Sequence, residues 1–108
     1  MTTVRINGDA IKDWTSFHAE CKNAFGFPDF YGNTMDAWVD CLSYLRDEDG
    51  MSSIHLQPEE TLQIELINAD AMRKRAPEIL EEMGFCIEGI NERYEDYGEK
   101  PALVLVLR

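Results

Sequence analysis

The apolar run at residues 102–107 limits the fold more than any other segment of the chain. Its six residues (Ala-Leu-Val-Leu-Val-Leu) show no polar alternation. A short, continuous apolar strand is typical of a parallel sheet that is buried on both faces. Parallel neighbours cannot be joined by a tight hairpin, because each pair needs a long crossover connection that usually contains a helix. The run therefore predicts helices between the strands.

Two further segments are predicted to pair with this run. Residues 3–6 (Thr-Val-Arg-Ile) are mostly β-branched or apolar and are followed by an Asn-Gly turn, and residues 62–67 (Leu-Gln-Ile-Glu-Leu-Ile) form another strand. Helical periodicity fills the intervals. We therefore predict a single α/β domain over residues 1–108, with a small three-stranded parallel sheet packed with about four helices and right-handed crossovers.

The first predicted helix has signals at both ends. Asp13 is a suitable N-cap, and Gly26 followed by Pro28 stops the helix. Between them, apolar residues recur at spacings of three and four, which places them on one side of a helix. We expect this side to face the core. It comprises Trp14, Phe17, Cys21, Ala24 and Phe25.

Later helices are marked by caps and prolines. Asn68 and Asp70 can cap a helix after the second strand. Pro77 then either kinks that helix or begins a new one as its first residue. The helical periodicity continues until Gly98 and Pro101, where the chain enters the closing strand.

The charge is strongly acidic and unevenly distributed. Ten basic residues against 21 acidic ones give a net charge of −11. Residues 27–50 contain six acids and only Arg46, and residues 78–99 contain eight acids and only Arg93. Direct binding to nucleic acid is disfavoured, because phosphate contacts need a basic surface. The acidity fits either simple solubility or a partner with a basic cleft.

Cysteine usage and hydropathy indicate a reduced, non-membrane environment. Cys21, Cys41 and Cys86 lie among apolar helical positions and lack metal-ligand spacing, so we expect buried thiols. We expect no secretory leader, because the first residues lack an apolar core region, and no membrane span, because no apolar run approaches the ~20 residues that cross a bilayer. We therefore expect a cytoplasmic protein.

The second helix is predicted to have an apolar face and an acidic face. Asn33 is its predicted N-cap, and the helix should run to about Arg46. The inward face comprises Met35, Trp38, Cys41, Leu42 and Leu45. Asp36, Asp40, Ser43 and Asp47 recur on the other face. Because residues four apart are neighbours on a helix, Asp36 and Asp40 should project together.

Residues 27–42 (Phe-Pro-Asp-Phe-Tyr-Gly-Asn-Thr-Met-Asp-Ala-Trp-Val-Asp-Cys-Leu) resemble the barstar family. The matching pattern is an aromatic pair, a glycine, a polar capping residue, then Asp-Ala and Asp-Cys-Leu on the second helix. The opening Ile-Asn-Gly, the proline after the first helix and the closing apolar strand agree with it. The resemblance follows the element order of nearly the whole chain and is residue-specific over about twenty positions.

This resemblance implies a protein inhibitor of a small basic ribonuclease. In the family, the second helix and the preceding loop enter the active-site cleft of the enzyme, and the helix carboxylates take the place of RNA phosphates. The resemblance implies no catalytic residue, cofactor or metal site in the inhibitor. Carried over by position, the partner-binding residues are Phe30, Gly32, Asn33, Asp36, Val39, Asp40 and Ser43.

The sequence departs from the family pattern at several positions, of which two bear most directly on the identity of the target. Val39 stands where the family has a contacting tryptophan. A further acidic contact near the end of the last helix falls on Arg93 in one alignment and on Glu92 in another. These departures leave the identity of the target open.

Each candidate residue also has a structural interpretation. Asp36 lies in the first turn of the helix, where an acid interacts favourably with the helix dipole, and Asp40 could simply be a solvated residue. Phe30 and Tyr31 could pack the loop instead of contacting a partner. For Trp38 we expect a core position, because it lies on the apolar face.

Two other functions compete with ribonuclease inhibition. Two carboxylates could act as acid and base, but Asp36 and Asp40 lie on an exposed face without a pocket to separate their pKa values. His18 and His55 have no nucleophile or ligand pattern beside them, so we expect no enzyme. A barstar-like acidic module could instead neutralise a different toxin, because a fold does not determine a function. In either binding role we expect a monomer without a cofactor.

Overall fold

The computed structural model describes residues 2–108, which form a three-stranded parallel sheet and four α-helices. This confirms the predicted fold class. The strands lie in the order β1-β2-β3, with β2 in the centre. They are β1 (Thr2–Asn7), β2 (Leu62–Ile67) and β3 (Leu103–Leu107). The helices are α1 (Trp14–Phe25), α2 (Met35–Leu42), α3 (Ala69–Arg75) and α4 (Pro77–Asp96), and a 3-10 turn, Gly8–Ala10, follows β1.

Only one face of the sheet is buried, so the expectation of burial on both faces is wrong. In the inward row, Val4 and Ile64 are core residues aligned with Leu105. In the outward row Glu65 pairs with Arg5 at 3.4 Å and with Arg108 at 2.9 Å. The outward side chains thus contact solvent and one another. The apolar sequence of β3, an edge strand, gives no sign of this open face.

Helix α1 begins and ends where the sequence predicts. The Asp13 carboxylate accepts the Ser16 N–H at 2.8 Å, and the Ser16 hydroxyl lies 3.0 Å from the Asp13 nitrogen, which forms a capping box. Gly26 closes the helix at φ 65°, and an added Cβ there would lie 1.7 Å from the Ser53 hydroxyl oxygen. The predicted apolar side is buried at Phe17, but Trp14 is 38% exposed.

Helix α2 is shorter than predicted at both ends. Asn33 adopts a left-handed backbone with φ 55°, which does not suit an N-cap. Thr34 is the N-cap instead, and its hydroxyl accepts the Ala37 N–H at 3.1 Å. The helix ends at Leu42 rather than near Arg46. The predicted cap and the predicted length are therefore both wrong.

A tyrosine from α4 explains the early end of α2. The Tyr94 hydroxyl donates to the Leu42 carbonyl at 3.0 Å and accepts the Leu45 N–H at 3.0 Å. The backbone beyond Leu42 is thus held by a side chain in place of another helical turn. Burial raises the pKa of Tyr94 to about 12, so the hydroxyl keeps the proton that it donates.

Two more polar side chains attach neighbouring segments to α4. The Asn91 amide oxygen accepts the Ala102 and Leu103 N–H groups at 3.0 and 2.9 Å, which places the start of β3. Arg46 lies 5.1 Å from the Tyr94 ring centre and donates to the Lys100 carbonyl at 2.8 Å. The lone base of residues 27–50 is thus a structural residue.

The junction between α3 and α4 lies at a proline. Pro77 is the first residue of α4, so the second of the two predicted alternatives is correct. Asn68 occupies the N-cap position of α3, but neither it nor Asp70 provides a side-chain capping bond. Asn68 instead donates to the Asp9 carboxylate at 2.6 Å.

The three cysteines are buried and free, as predicted. Burial raises the pKa of Cys21 to about 12 and that of Cys86 to about 11, so both stay protonated thiols near neutral pH. Trp38 is fully buried, which confirms its predicted core position.

Replacing Tyr94 with phenylalanine should destabilise the fold. Tyr94→Phe leaves the Leu45 N–H unpaired in the interior, which typically costs about 1–3 kcal/mol. Urea unfolding measures this loss. The matched control is Tyr97→Phe, which removes a hydroxyl from a side chain that is 84% exposed and should change stability by no more than about 0.5 kcal/mol. Equal effects of the two substitutions would contradict the assigned role of Tyr94.

Candidate protein-binding site

Helix α2 presents Asp36 and Asp40 together on its exposed side. Both residues are exposed and lie one turn apart, while Trp38, Cys41 and Leu42 on the opposite side are buried. The predicted division of the helix into two faces is correct over Met35–Leu42. Asp47 lies beyond the helix, in the acidic turn, so it does not extend this row of carboxylates. The result is a pair of acceptors on a rigid support.

Asp40 is paired within the chain. Its carboxylate lies 3.4 Å from Nη1 of Arg93, and the same nitrogen donates to the Ser43 hydroxyl at 3.2 Å. Asp40 and Arg93 side chains are 57% and 50% exposed, so this pair contributes only about 0–1 kcal/mol. Of the two residues that the sequence left open on α4, Arg93 lies against α2. Glu92 is exposed and does not line the groove between the two helices.

Of the two aromatic residues before α2, Tyr31 is buried and Phe30 is exposed. The ring centre of Tyr31 lies 4.7 Å from that of Phe27. The Tyr31 hydroxyl lies 2.6 Å from Nδ1 of His18. Burial lowers the pKa of His18 and raises that of Tyr31, which favours a Tyr31 O–H donating to a neutral imidazole. Phe30 is 77% exposed and does not pack the loop. Tyr31 therefore anchors the loop, and Phe30 is free to meet a partner.

Gly32 and Asn33 are both exposed. An added Cβ at Gly32 would meet only the Ala37 Cβ at 3.9 Å, an ordinary contact, and the φ of Gly32 lies outside the left-handed region. The fold therefore does not require glycine there. Asn33 keeps its left-handed turn just before the cap, so the loop bends directly into α2.

Val39 and Ser43 are only partly accessible. Val39 is half-buried and packs against the core, so it offers less apolar surface than an exposed aromatic side chain would. The Ser43 hydroxyl donates to the Val39 carbonyl at 2.6 Å and accepts from Arg93. Both residues lie beside Asp40, but neither projects as it does.

Comparison with known families matches the chain to one family over nearly the whole length of the chain. The family model described as barstar (barnase inhibitor) matches residues 1–106. The chain belongs to the barstar family. No curated protein matches the chain.

The members of the barstar family are inhibitors rather than enzymes. Within residues 2–108, no three His, Cys, Asp or Glu side chains come together as a potential metal site. None of the helices in the described part of the chain combines the length and apolar character needed to cross a membrane. The exposed Asp36 and Asp40 make the face of α2 the candidate site of this barstar-family chain.

Three exposed aromatic residues near this face were not singled out from the sequence. Phe85 on α4 is 71% exposed, Tyr97 just after α4 is 84% exposed, and Tyr44 just after α2 is 44% exposed. Phe85 falls outside the apolar periodicity of α4, which is followed by Ile79, Met83, Cys86 and Ile90. That break in the pattern is the signal that could have identified it.

The buried His18 should make stability depend on pH. Because the folded pKa lies below the usual 6.5, the unfolded state binds more protons as the pH falls. The stabilising contribution is complete above about pH 6.5 and is lost as the pH falls from there toward the folded pKa. Urea unfolding between about pH 7.5 and 5.5 should therefore show a flatter pH dependence for His18→Gln than for the wild type.

His55→Gln is the matched control for this measurement, because His55 is exposed and forms no side-chain hydrogen bond within residues 2–108. It should keep the wild-type slope. Identical slopes for all three proteins would mean that His18 does not contribute.

Proposed function

We propose that this chain inhibits a small basic ribonuclease by placing α2 and the loop before it in the active-site cleft of the enzyme. The observation that carries the proposal is the exposed pair Asp36 and Asp40, one turn apart on a helix whose other face is buried. In this role the two carboxylates take the place of RNA phosphates. Membership of a family of barnase inhibitors supports the same assignment.

The chemistry of the target suits such a pair. A ribonuclease must hold several positive groups to stabilise the charge on the reacting phosphate. Carboxylates form short, charge-assisted hydrogen bonds with those groups. Since α2 is capped by Thr34 and packed through Trp38, its backbone has little freedom left to lose on binding. The helix therefore offers acceptors that are already in position.

The remaining acids act at longer range. With a net charge of −11, the chain attracts a basic partner before contact and speeds association. Asp47, Glu48 and Asp49 lie exposed just beyond α2 and contribute to this field. Because exposed charges are screened by salt, this part of the effect should fade at high ionic strength.

The residues around the carboxylates have supporting roles in the proposal. Phe30 supplies an exposed aromatic contact, while Gly32 and Asn33 allow the partner to approach the loop closely. Val39 and Ser43 fill the surface beside Asp40. The inhibitor is proposed to act in the cytoplasm as a monomer and to need no cofactor.

In a second candidate function, the same fold binds a different target. The small Val39 stands where the family pattern has a tryptophan, and one of the two alignments of α4 puts the basic Arg93 where the family has an acid. Arg93 also offsets the charge of Asp40 at 3.4 Å. These two residues favour a binding module that neutralises a toxin other than a barnase-like enzyme.

An affinity pull-down from the lysate of the native cell, at low salt, tests both candidates. The wild-type chain is one bait, and the Asp36→Ala/Asp40→Ala double variant is the other. We expect a small basic ribonuclease to be retained only by the wild type and to lose activity when the chain is added. A different toxin retained only by the wild type would support the second candidate. A partner retained equally by both baits would overturn the role of α2.

For the retained partner, Asp40→Ala should weaken binding by about 2–5 kcal/mol, the usual cost of truncating one side of a buried charge contact. That range draws in part on complexes of this same family. Titration calorimetry measures the change, and urea unfolding should show little loss of stability, because Asp40 is exposed.

The matched control is Glu88→Ala, which removes the same charge from an exposed position on α4 outside the groove. It should alter affinity by much less than Asp40→Ala. If both variants bind equally well, net charge rather than the α2 contact determines affinity.

A further inference from the structure

A groove of about 480 Å³ runs between α2 and α4. Apolar and charged side chains line it in nearly equal measure. The lining residues are Met35, Asp36, Val39, Asp40, Glu82, Phe85, Cys86, Gly89 and Arg93. Three carboxylates and one guanidinium therefore share one concave surface. The groove extends the α2 face onto α4, beyond the residues assigned to binding above.

One end of the groove already holds a guanidinium group. Arg93 lies there with Nη1 3.4 Å from the Asp40 carboxylate and 3.2 Å from the Ser43 hydroxyl. The spacing of the two helices thus admits a planar cation between them. This end is occupied by a side chain of the protein itself.

The other end has carboxylates without a cation. Glu82 accepts a weak hydrogen bond from the Cys86 thiol at 3.6 Å, which directs its carboxylate into the groove. Asp36 and Cys86 line the same groove as Glu82. Among the described residues, no Lys, Arg or His nitrogen forms an ion pair with Asp36 or Glu82.

Phe85 gives this end an aromatic wall. Its side chain is 71% exposed although it is apolar, and it belongs to the lining of the groove. A cation over an aromatic face is attracted by the ring, and arginine makes this contact more often than lysine. Arginine also spans two carboxylate oxygens with its planar fork, which an ammonium group cannot do. Phe85, Glu82 and Asp36 together therefore match an arginine side chain.

We propose that the end of the groove formed by Asp36, Glu82 and Phe85 receives an arginine side chain of the partner. Phe85 supplies there the aromatic contact that Val39 does not supply on α2. This inference rests on the proposed function for the basic character of the partner, but the site is defined by residues of this chain alone. It adds an arginine subsite on α4 to the α2 face.

The test uses a capped Gly-Arg-Gly peptide and a capped Gly-Lys-Gly peptide as matched probes. Each is titrated into the full chain, and backbone amide shifts are followed by two-dimensional NMR. We expect the arginine peptide to shift the amides of Glu82, Phe85 and Gly89 and to bind about two- to fivefold more tightly than the lysine peptide. Phe85→Leu should remove this preference. The other amide signals should keep their wild-type positions, which would show that the variant is folded.

A Glu82→Gln variant should weaken both peptides, since it removes a charge and keeps the shape. Glu88→Gln, on the exposed side of α4 outside the groove, is its control and should not alter the shifts. The proposal is overturned if the amides of the groove do not shift. It is equally overturned if both peptides bind alike, or if Phe85→Leu keeps the preference for arginine.

No ribonuclease takes part in this experiment, so its outcome is separate from that of the pull-down. An arginine preference at Phe85 without a retained ribonuclease would overturn the proposed function and keep the subsite. A retained ribonuclease without that preference would keep the proposed function and overturn the subsite.

Discussion

The Tyr94 hydroxyl donates one hydrogen bond and accepts another, and these two bonds hold the end of α2 against α4. The candidate binding face depends on them. They end the helix at Leu42 and turn the chain toward Arg46, which in turn lies against the Tyr94 ring. Asn91, one turn earlier on α4, attaches the start of β3. Helix α4 is therefore the common reference for α2, for the segment after it and for the sheet edge. A partner that contacts α2 contacts an element positioned by side chains from the opposite half of the chain.

The same face combines a buried framework with exposed recognition groups. Trp38 and Tyr31 are buried and fix α2 and its loop, whereas Phe30 and Asp36 project into solvent. Adjacent residues thus have opposite roles, because a helix or a tight loop turns neighbouring side chains in different directions. The internal pairing of Asp40 with Arg93 adds a constraint, since a basic partner must displace or accommodate a cation that is already present. This distinguishes the face from a simple row of free acids.

Local signals predicted the parts of the fold that local chemistry determines. The N-cap at Asp13 and the stop at Gly26 need only a few neighbouring residues, and both were predicted from the sequence. Pro77 as the first residue of α4 was one of two predicted alternatives. The family pattern likewise located the exposed carboxylates of α2. The end of α2 was not predictable, because a hydroxyl 52 residues away from Leu42 determines it. The place of Arg93 depends on how α4 crosses α2, and the open face of the sheet depends on which side the helices cover.

The parallel pairing of the strands has a consequence for how the chain reaches this structure. Thr2 aligns with Leu62, and Leu62 aligns with Leu103, so the paired positions are separated by 62 − 2 = 60 and 103 − 62 = 41 residues. Contacts so distant in sequence must close large loops first, which slows folding compared with local helical contacts. During synthesis, β3 emerges after β1, β2 and the four helices, together with the residues that Asn91 must bind. The sheet can therefore close only after β3 has been made, although the helices that pack on it are made earlier.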